Sequence, residues 1–172
     1  MKLALISVAF VFTIVAVVLI VGAVLPRSHV VSRRIILHRS PDEIYRSVRD
    51  FNTAPSWRSD LERVETITTT DNHVRFREYA KHGAVTYDLV EDQPGERMVT
   101  RIADVNLGYS GSWTYTFTKE AAGTRVQITE AGEVSNVLFR FMSRFVFGQS
   151  GTIEKYLIAL GKKFGEDVSP RS

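Results

Sequence analysis

Two carboxylates fall where the sequence otherwise places apolar side chains. Glu78 continues the alternation of Val74 and Phe76, and Glu130 that of Val126 and Ile128, so each shares the apolar face of its strand. Burial raises a carboxylate's pKa and makes it a usable general acid or base near neutral pH. Both also stand near strand ends, Glu78 before Lys81 and Glu130 before Gly132, from where a glutamate reaches solvent at the rim. The spacing favours that plainer placement. Tyr87, on the face of Val85 and Leu89, is a third group able to direct a proton.

The remaining reactive types form no constellation. His29, His38, His73 and His82 are scattered without metal-ligand spacing and there is no cysteine, so neither a metal site nor thiol chemistry is expected. Gly148-Gln149-Ser150-Gly151 is one residue short of a nucleophile elbow and lies within a helical pattern, not after a strand. Arg75, Arg77, Arg97 and Arg101 share the face opposite the aromatics, where Asp88 and other acids can pair with them. With a net charge of only +3 and no aromatic interleaving on that face, nucleic-acid binding is not expected.

The elements that must position these groups are mostly strands. From Leu61 the pattern has a period of two for about seventy residues, broken by turn signals at Asp71-Asn72, Gln93-Pro94-Gly95, Gly108 to Gly111 and Ala122-Gly123-Thr124. The clearest strand sets Trp113, Tyr115 and Phe117 against Ser112, Thr114 and Thr116, which predicts that the rings point toward the last helix. Before this meander come a strand over Val30 to His38 and a helix start at Ser40-Pro41-Asp42-Glu43, with Ser40 as N-cap and Glu43 completing a capping box. A second helical turn is expected to stop near Ala54, ahead of Pro55, with Trp57 as a plug.

The segment Asn136 to Gly165 reads as a long carboxy-terminal helix with a kink or break at Gly148 and Gly151. Its second half carries the stripe Ile153, Tyr156, Leu157, Leu160 and Phe164. Its first half, Val137 to Phe147, leaves only Arg140, Ser143 and Arg144 polar, more apolar surface than one buried face needs. Part of it, tested at Phe139 and Phe147, is therefore expected to form a lid at a cavity mouth, hinged at Gly148 and Gly151, with Arg140 and Arg144 meeting lipid headgroups; the plainer alternative is that all of these side chains are core. Phe76, Glu78, Tyr87, Leu89, Met98, Trp113, Tyr115, Phe117 and Glu130, with Phe141 and Phe145 from the helix, are the candidate lining of an apolar cavity. Val85 and Ile102 share the concave face.

At the amino terminus Leu3 to Leu25 carries no charge, and about twenty apolar residues span a bilayer as a helix. An uncleaved anchor fits better than a signal peptide, whose apolar core runs to about 7–15 residues. Arg27, Arg33, Arg34 and Arg39 follow the span and only Lys2 precedes it, which predicts a cytoplasmic domain. The expected division is an anchor over 1–26, a folded domain over 27–166 and a frayed tail over 167–172.

The order of strand, two short helices, meander and long helix resembles the helix-grip superfamily of START-like, birch pollen allergen and polyketide cyclase/dehydrase proteins, often called SRPBCC. The likeness covers about Val30 to Phe164. It rests on Ser40 to Tyr45 (S-P-D-E-I-Y), Pro55-Ser56-Trp57, Trp113 to Phe117 (W-T-Y-T-F), Gly123 to Val126 and the amphipathic last helix. It implies an α+β fold in which a curved antiparallel sheet of six to seven strands wraps the last helix around an apolar cavity, here preceded by one transmembrane helix. It carries over no catalytic residue, metal or cofactor. The function expected is a membrane-tethered module that binds a hydrophobic small molecule such as a lipid, quinone or polyketide-like compound. The alternatives are a cyclase/dehydrase-type enzyme using Glu78, Glu130 or Tyr87, and a structural or partner-binding domain with a filled cavity.

Overall fold

The computed structural model describes the backbone of residues 2–68, 73–81, 83–148 and 150–172, with their side chains except those of residues 2–6, 8, 9, 68 and 147. The Asp71-Asn72 turn and His82 thus lie outside the described residues, as does the side chain of Phe147. One antiparallel sheet holds β1 (Ser28–Leu37), β2 (Leu61–Thr68), β3 (Val74–Ala80), β4 (Gly83–Gln93), β5 (Arg97–Ile102), β6 (Tyr109–Glu120) and β7 (Gly123–Val134). Its order, β1-β7-β6-β5-β4-β3-β2, is a meander from β2 to β7 with β1 returning to the open edge of β7. A register shift between Leu89 and Glu91 leaves Val90 without an opposite number in β5, a bulge that bends the sheet.

The alternation read from β6 is the one observed. Trp113 and Tyr115 face the last helix, meeting the ring of Tyr156 at 5.7 and 5.8 Å between centroids. Phe117 meets Tyr45 edge-on at 5.9 Å instead, because α2 (Pro41–Arg49) covers that end of the sheet. The start of α2 follows from its residues: Ser40 accepts from the Glu43 N–H at 3.3 Å, and Pro41 supplies a fixed φ where no N–H is needed. The Glu43 carboxylate lies against Arg39 at 3.4 Å.

Two expectations are corrected and one is met. The turn after α2 does not stop at Ala54 but runs over Phe51–Ser56 as a 3-10 segment containing Pro55. Its bonds run from Thr53 N–H to Asp50 and from Trp57 N–H to Ala54, so none requires an N–H from the proline. The carboxy-terminal segment breaks where expected: α3 (Val137–Met142) passes through a π-type turn at Ser143–Phe147, and α4 (Gly151–Lys163) starts afresh after Gly148. Gly148, at φ 72°, occupies the left-handed region that cannot continue a right-handed helix. The tail is not frayed: Arg171 and Arg34 exchange backbone bonds of 2.8 and 2.9 Å, and Val168 packs against the core. An unpaired edge of β1 is thereby covered.

The core lies between the concave face of the sheet, α2 and α4, with Ile153, Leu157 and Leu160 fully buried from the helix. On the opposite, convex face Arg75 pairs with Asp88 at 2.6 Å and Arg97 with Glu91 at 3.0 Å, so this basic patch is a solvated surface. The helix α1 (Lys2–Val24) has 23 residues, about 35 Å at the usual rise. Among the described residues no helix is long and apolar enough to cross a membrane. The side chains of its first turns are outside the description, and Phe10, Phe12, Ile14, Leu19, Ile20 and Val24 among the rest are exposed.

The two neighbours Leu157 and Ile158 test the stripe. Leu157 is 0% exposed and Ile158 37%, so in urea titrations Leu157→Ala is expected to lose about 2–5 kcal/mol and Ile158→Ala a small fraction of that. Equal losses would mean that α4 is rotated on the sheet.

Candidate functional site

Where α4 and α3 stand away from the sheet, a cavity of about 370 Å³ remains. Tyr87, Thr100 and Ile102 form its sheet wall, and Phe139, Ser143, Gly148 and Thr152 its helical side. The run Tyr109 to Trp113 lines it without a gap, so backbone as well as side chains faces the space, and Ser112, expected to point away, sits at its rim. A recess of about 60 Å³ shares Tyr87, Thr100, Trp113 and Thr152 with the cavity and adds Arg58, Phe76, Glu78 and Tyr115. The cavity thus has an aromatic and hydroxylated wall and one deep, charged end.

The charged end is an ion pair. Arg58, just after the 3-10 segment, donates to Glu78 at 2.6 Å, and its other nitrogens reach Asp60 at 2.8 and 3.4 Å. Side-chain exposure is 11% for Arg58 and 16% for Glu78, which removes both charges from most of their water. Burial pushes the Glu78 carboxyl above its ordinary value, and the guanidinium of Arg58 draws it back without cancelling that rise. Burial works most strongly against the Arg58 charge, but the Glu78 carboxylate and Asp60 together outweigh it and hold the guanidinium protonated. The neighbouring phenols respond to the same environment. Burial, then the charge of Glu78, drives Tyr87 far above the ordinary tyrosine value, and burial does the same to Tyr115 and Tyr156. These phenols stay neutral and serve as hydrogen-bonding groups.

Glu130 is occupied differently. It accepts from Trp113 Nε1 at 2.9 Å and meets His29 Nε2 at 3.2 Å, which fixes the indole in the cavity wall. The ring of His29 lies so close over Gly132 that a Cβ there would collide with it. On the far side Tyr156 gathers the wall together, touching Trp57, Trp113 and Tyr115 edge-on or tilted, with the Arg58 guanidinium 5.2 Å from its centroid.

Of the lining expected from sequence, Phe76, Glu78, Tyr87, Trp113, Tyr115 and Glu130 border the cavity or its recess. Leu89, Met98 and Phe117 are buried core and border neither space. Phe141 and Phe145 pack on each other at 4.9 Å, away from the lining, and Phe145 is exposed. The two glutamates keep 16% and 22% side-chain exposure, and each is held by a partner that alternation cannot reveal: Arg58 from an irregular segment and His29 from a strand far away in sequence. Arg58 and His29 escape the sequence pattern for that reason, and Tyr109 and Thr152 because each stands at the start of its element, where only the packing of helix on sheet brings it to the cavity. Arg140 is the other correction. It is 6% exposed and does not stand free at the surface, since it donates to the carbonyls of Ala23 and Leu25 at the end of α1 and to that of Ser135 ahead of α3.

Residues 28–160 match the sequence model of the family described as polyketide cyclase / dehydrase and lipid transport. The comparison with curated proteins finds no match. Among solved structures, the START superfamily protein from Mycobacterium smegmatis superposes with a TM-score of 0.62 at 15% identity, over 78% of this chain and 96% of that one. The Zhui aromatase/cyclase from Streptomyces sp. R1128 gives 0.62 at 13% identity, over 78% and 93%. The di-domain ARO/CYC StfQ from the steffimycin biosynthetic pathway gives 0.63 at 12% identity over 80% of this chain, which spans 52% of that protein. At such identities the likeness is one of fold.

The buried pair carries a pH-dependent expectation. A carboxyl whose folded value is raised contributes stability that is present below its unfolded value of 4.5 and is lost as pH rises through the folded value. Removing Arg58 raises that folded value further. Arg58→Leu is therefore expected to cost about 3–5 kcal/mol at neutral pH, where Glu78 is left charged and unpaired, and much less in acid, where it is protonated. Urea titrations at stepped pH read this out, and a loss independent of pH would show that Glu78 is not the group concerned.

Proposed function

Because the chain belongs to the polyketide cyclase / dehydrase and lipid transport family, we propose that it binds one hydrophobic small molecule in the cavity between the sheet and α3–α4, without chemistry, and that α1 tethers it to a membrane. The observation that carries the binding reading is the space itself. About 370 Å³ walled by Tyr87, Ile102, Tyr109, Trp113 and Phe139 falls within the usual range for a small-molecule pocket, about 300–1,000 Å³. Against catalysis stands the state of the acids, with Glu78 locked on Arg58 and Glu130 already accepting from Trp113. The polar groups at the wall that suit orientation of a ligand's oxygen are the Tyr87 phenol and the Thr152 hydroxyl.

Support for the tether comes from the uncharged run Leu3 to Leu25, the 23-residue helix it forms and the exposed apolar side chains along that helix. Pro26 and Arg27 are all that separate Leu25 from β1, so the domain would sit directly on the bilayer, and the arginines after the span favour the cytoplasmic side. A second reading, a cyclase/dehydrase-type enzyme, draws on the His29–Glu130 pair at the cavity wall, which can move a proton.

A ligand that binds only the folded chain raises its stability by about 2.7 kcal/mol at a hundred times its Kd. The full-length chain in a neutral detergent, screened by thermal unfolding against lipids, quinones and polyketide-like aromatics, is expected to shift with one class. Ile102→Trp, which fills the cavity, should abolish that shift at a cost of about 1–3 kcal/mol of stability. A shift unchanged by Ile102→Trp places the ligand elsewhere, and turnover that Glu130→Gln or His29→Gln removes would establish the enzyme. Extraction of the chain from its membrane by alkaline carbonate would rule out the tether.

A further inference from the structure

A second pocket, of about 300 Å³, opens at the foot of α1, where the chain turns into β1 and passes under α3. Arg27, Arg140 and Arg144 line it, and its wall holds no carboxylate among the described residues. Arg27 and Arg144 are exposed, whereas Arg140 is 6% exposed and its Nε is buried without a hydrogen-bond partner. The bonds that Arg140 does make run to Ala23 and Leu25 at 3.4 and 3.0 Å and to Ser135 at 3.5 Å, all neutral carbonyls. A buried cation ordinarily has an anionic partner. The end of a helix offers about half a negative charge, which offsets only part of one guanidinium. Glu133 is the nearest acid in sequence to the pocket's Val134, but it borders the main cavity and not this pocket.

We propose that this pocket is a site for a phosphate-bearing anion, supplied by the headgroup of an anionic membrane lipid. Three arginines line one small space, and planar guanidinium groups suit the several oxygens of a phosphate better than those of a single carboxylate. The site stands on the arginine geometry, and only the choice of a lipid over free phosphate rests on α1 lying in a bilayer. The surroundings favour the lipid: Leu138, Phe139, Phe145 and Val146 are exposed on α3 and its following turn, the segment that brings Arg140 and Arg144 to the pocket. The two helices are in close contact, since a Cβ at Gly22 would collide with the carbonyl of Val137. His29, Val134 and Ser143 border both this pocket and the main cavity, so an occupied headgroup site would sit against the cavity's own wall.

The test uses the full-length chain in a neutral detergent, titrated with short-chain phosphatidylglycerol, short-chain phosphatidylcholine and inorganic phosphate, and read by native mass spectrometry and calorimetry. The expected result is one phosphatidylglycerol per chain, bound roughly tenfold tighter than phosphatidylcholine and weakened by salt. The double variant Arg27→Gln, Arg144→Gln changes two exposed side chains and should erase the preference while leaving thermal unfolding unaltered. Arg140→Gln should erase it too, but it also uncaps α1, so the double variant decides. Equal binding of the two lipids, or an undiminished preference in the double variant, overturns the site. Inorganic phosphate that binds as tightly as phosphatidylglycerol keeps the site and overturns the lipid as its source. None of these readouts depends on the cavity ligand, so a failed ligand screen and a failed anion site remain distinguishable.

Discussion

Tyr156 is the contact on which the sheet, the 3-10 segment and the last helix all close. Its ring receives Trp113 and Tyr115 from β6, Trp57 from beyond α2 and the Arg58 guanidinium above its face. Aromatic pairs at these separations add about 0.5–1.5 kcal/mol each beyond the area they bury, so four partners on one ring make a rigid joint. The rigidity has a geometric consequence. Rings held edge-on or tilted do not collapse on one another, and the sheet wall beyond Trp113 stays open as the cavity.

The same joint explains why the charged pair is tolerated so deep. Arg58 is brought to Tyr156 by the short segment that Pro55 helps to shape, and Glu78 comes from β3 on the facing wall. Neither charge would be stable alone at that depth. Together they close the inner end of the cavity with a polar surface, while the phenols of Tyr87 and Tyr115 remain protonated beside it. A cavity with one charged end and an aromatic, hydroxylated wall orients an amphipathic guest without needing to react with it.

The mouth is governed by a different constraint. Gly148 interrupts the carboxy-terminal helix, which frees α3 from the line of α4 and lets it lie against α1. Arg140 then becomes a cap for α1 and loses its access to solvent. Apolar side chains that an unbroken helix would have turned into the core are left exposed on α3 and on the turn that follows it. The amino-terminal helix and the cavity mouth are therefore one structural unit, although more than a hundred residues separate them in the chain.

Periodicity determined much of this protein by itself. Alternation in β6, the stripe of α4, the Ser40 cap and the turn at Gly95 were legible because each depends on neighbours within a few residues. The face on which Glu78 and Glu130 lie was legible for the same reason. Their partners were not, since Arg58 and His29 stand 20 and 101 residues away from them in the chain and no local pattern records such a pairing. Leu89, Met98 and Phe117 share the apolar face with the true lining, and only the position of α2 and α4 over that face decides which of these side chains meet other atoms and which meet empty space. The fate of Arg140 was settled by the packing of α3 on α1, because the same side chain on an isolated helix would have stayed in water.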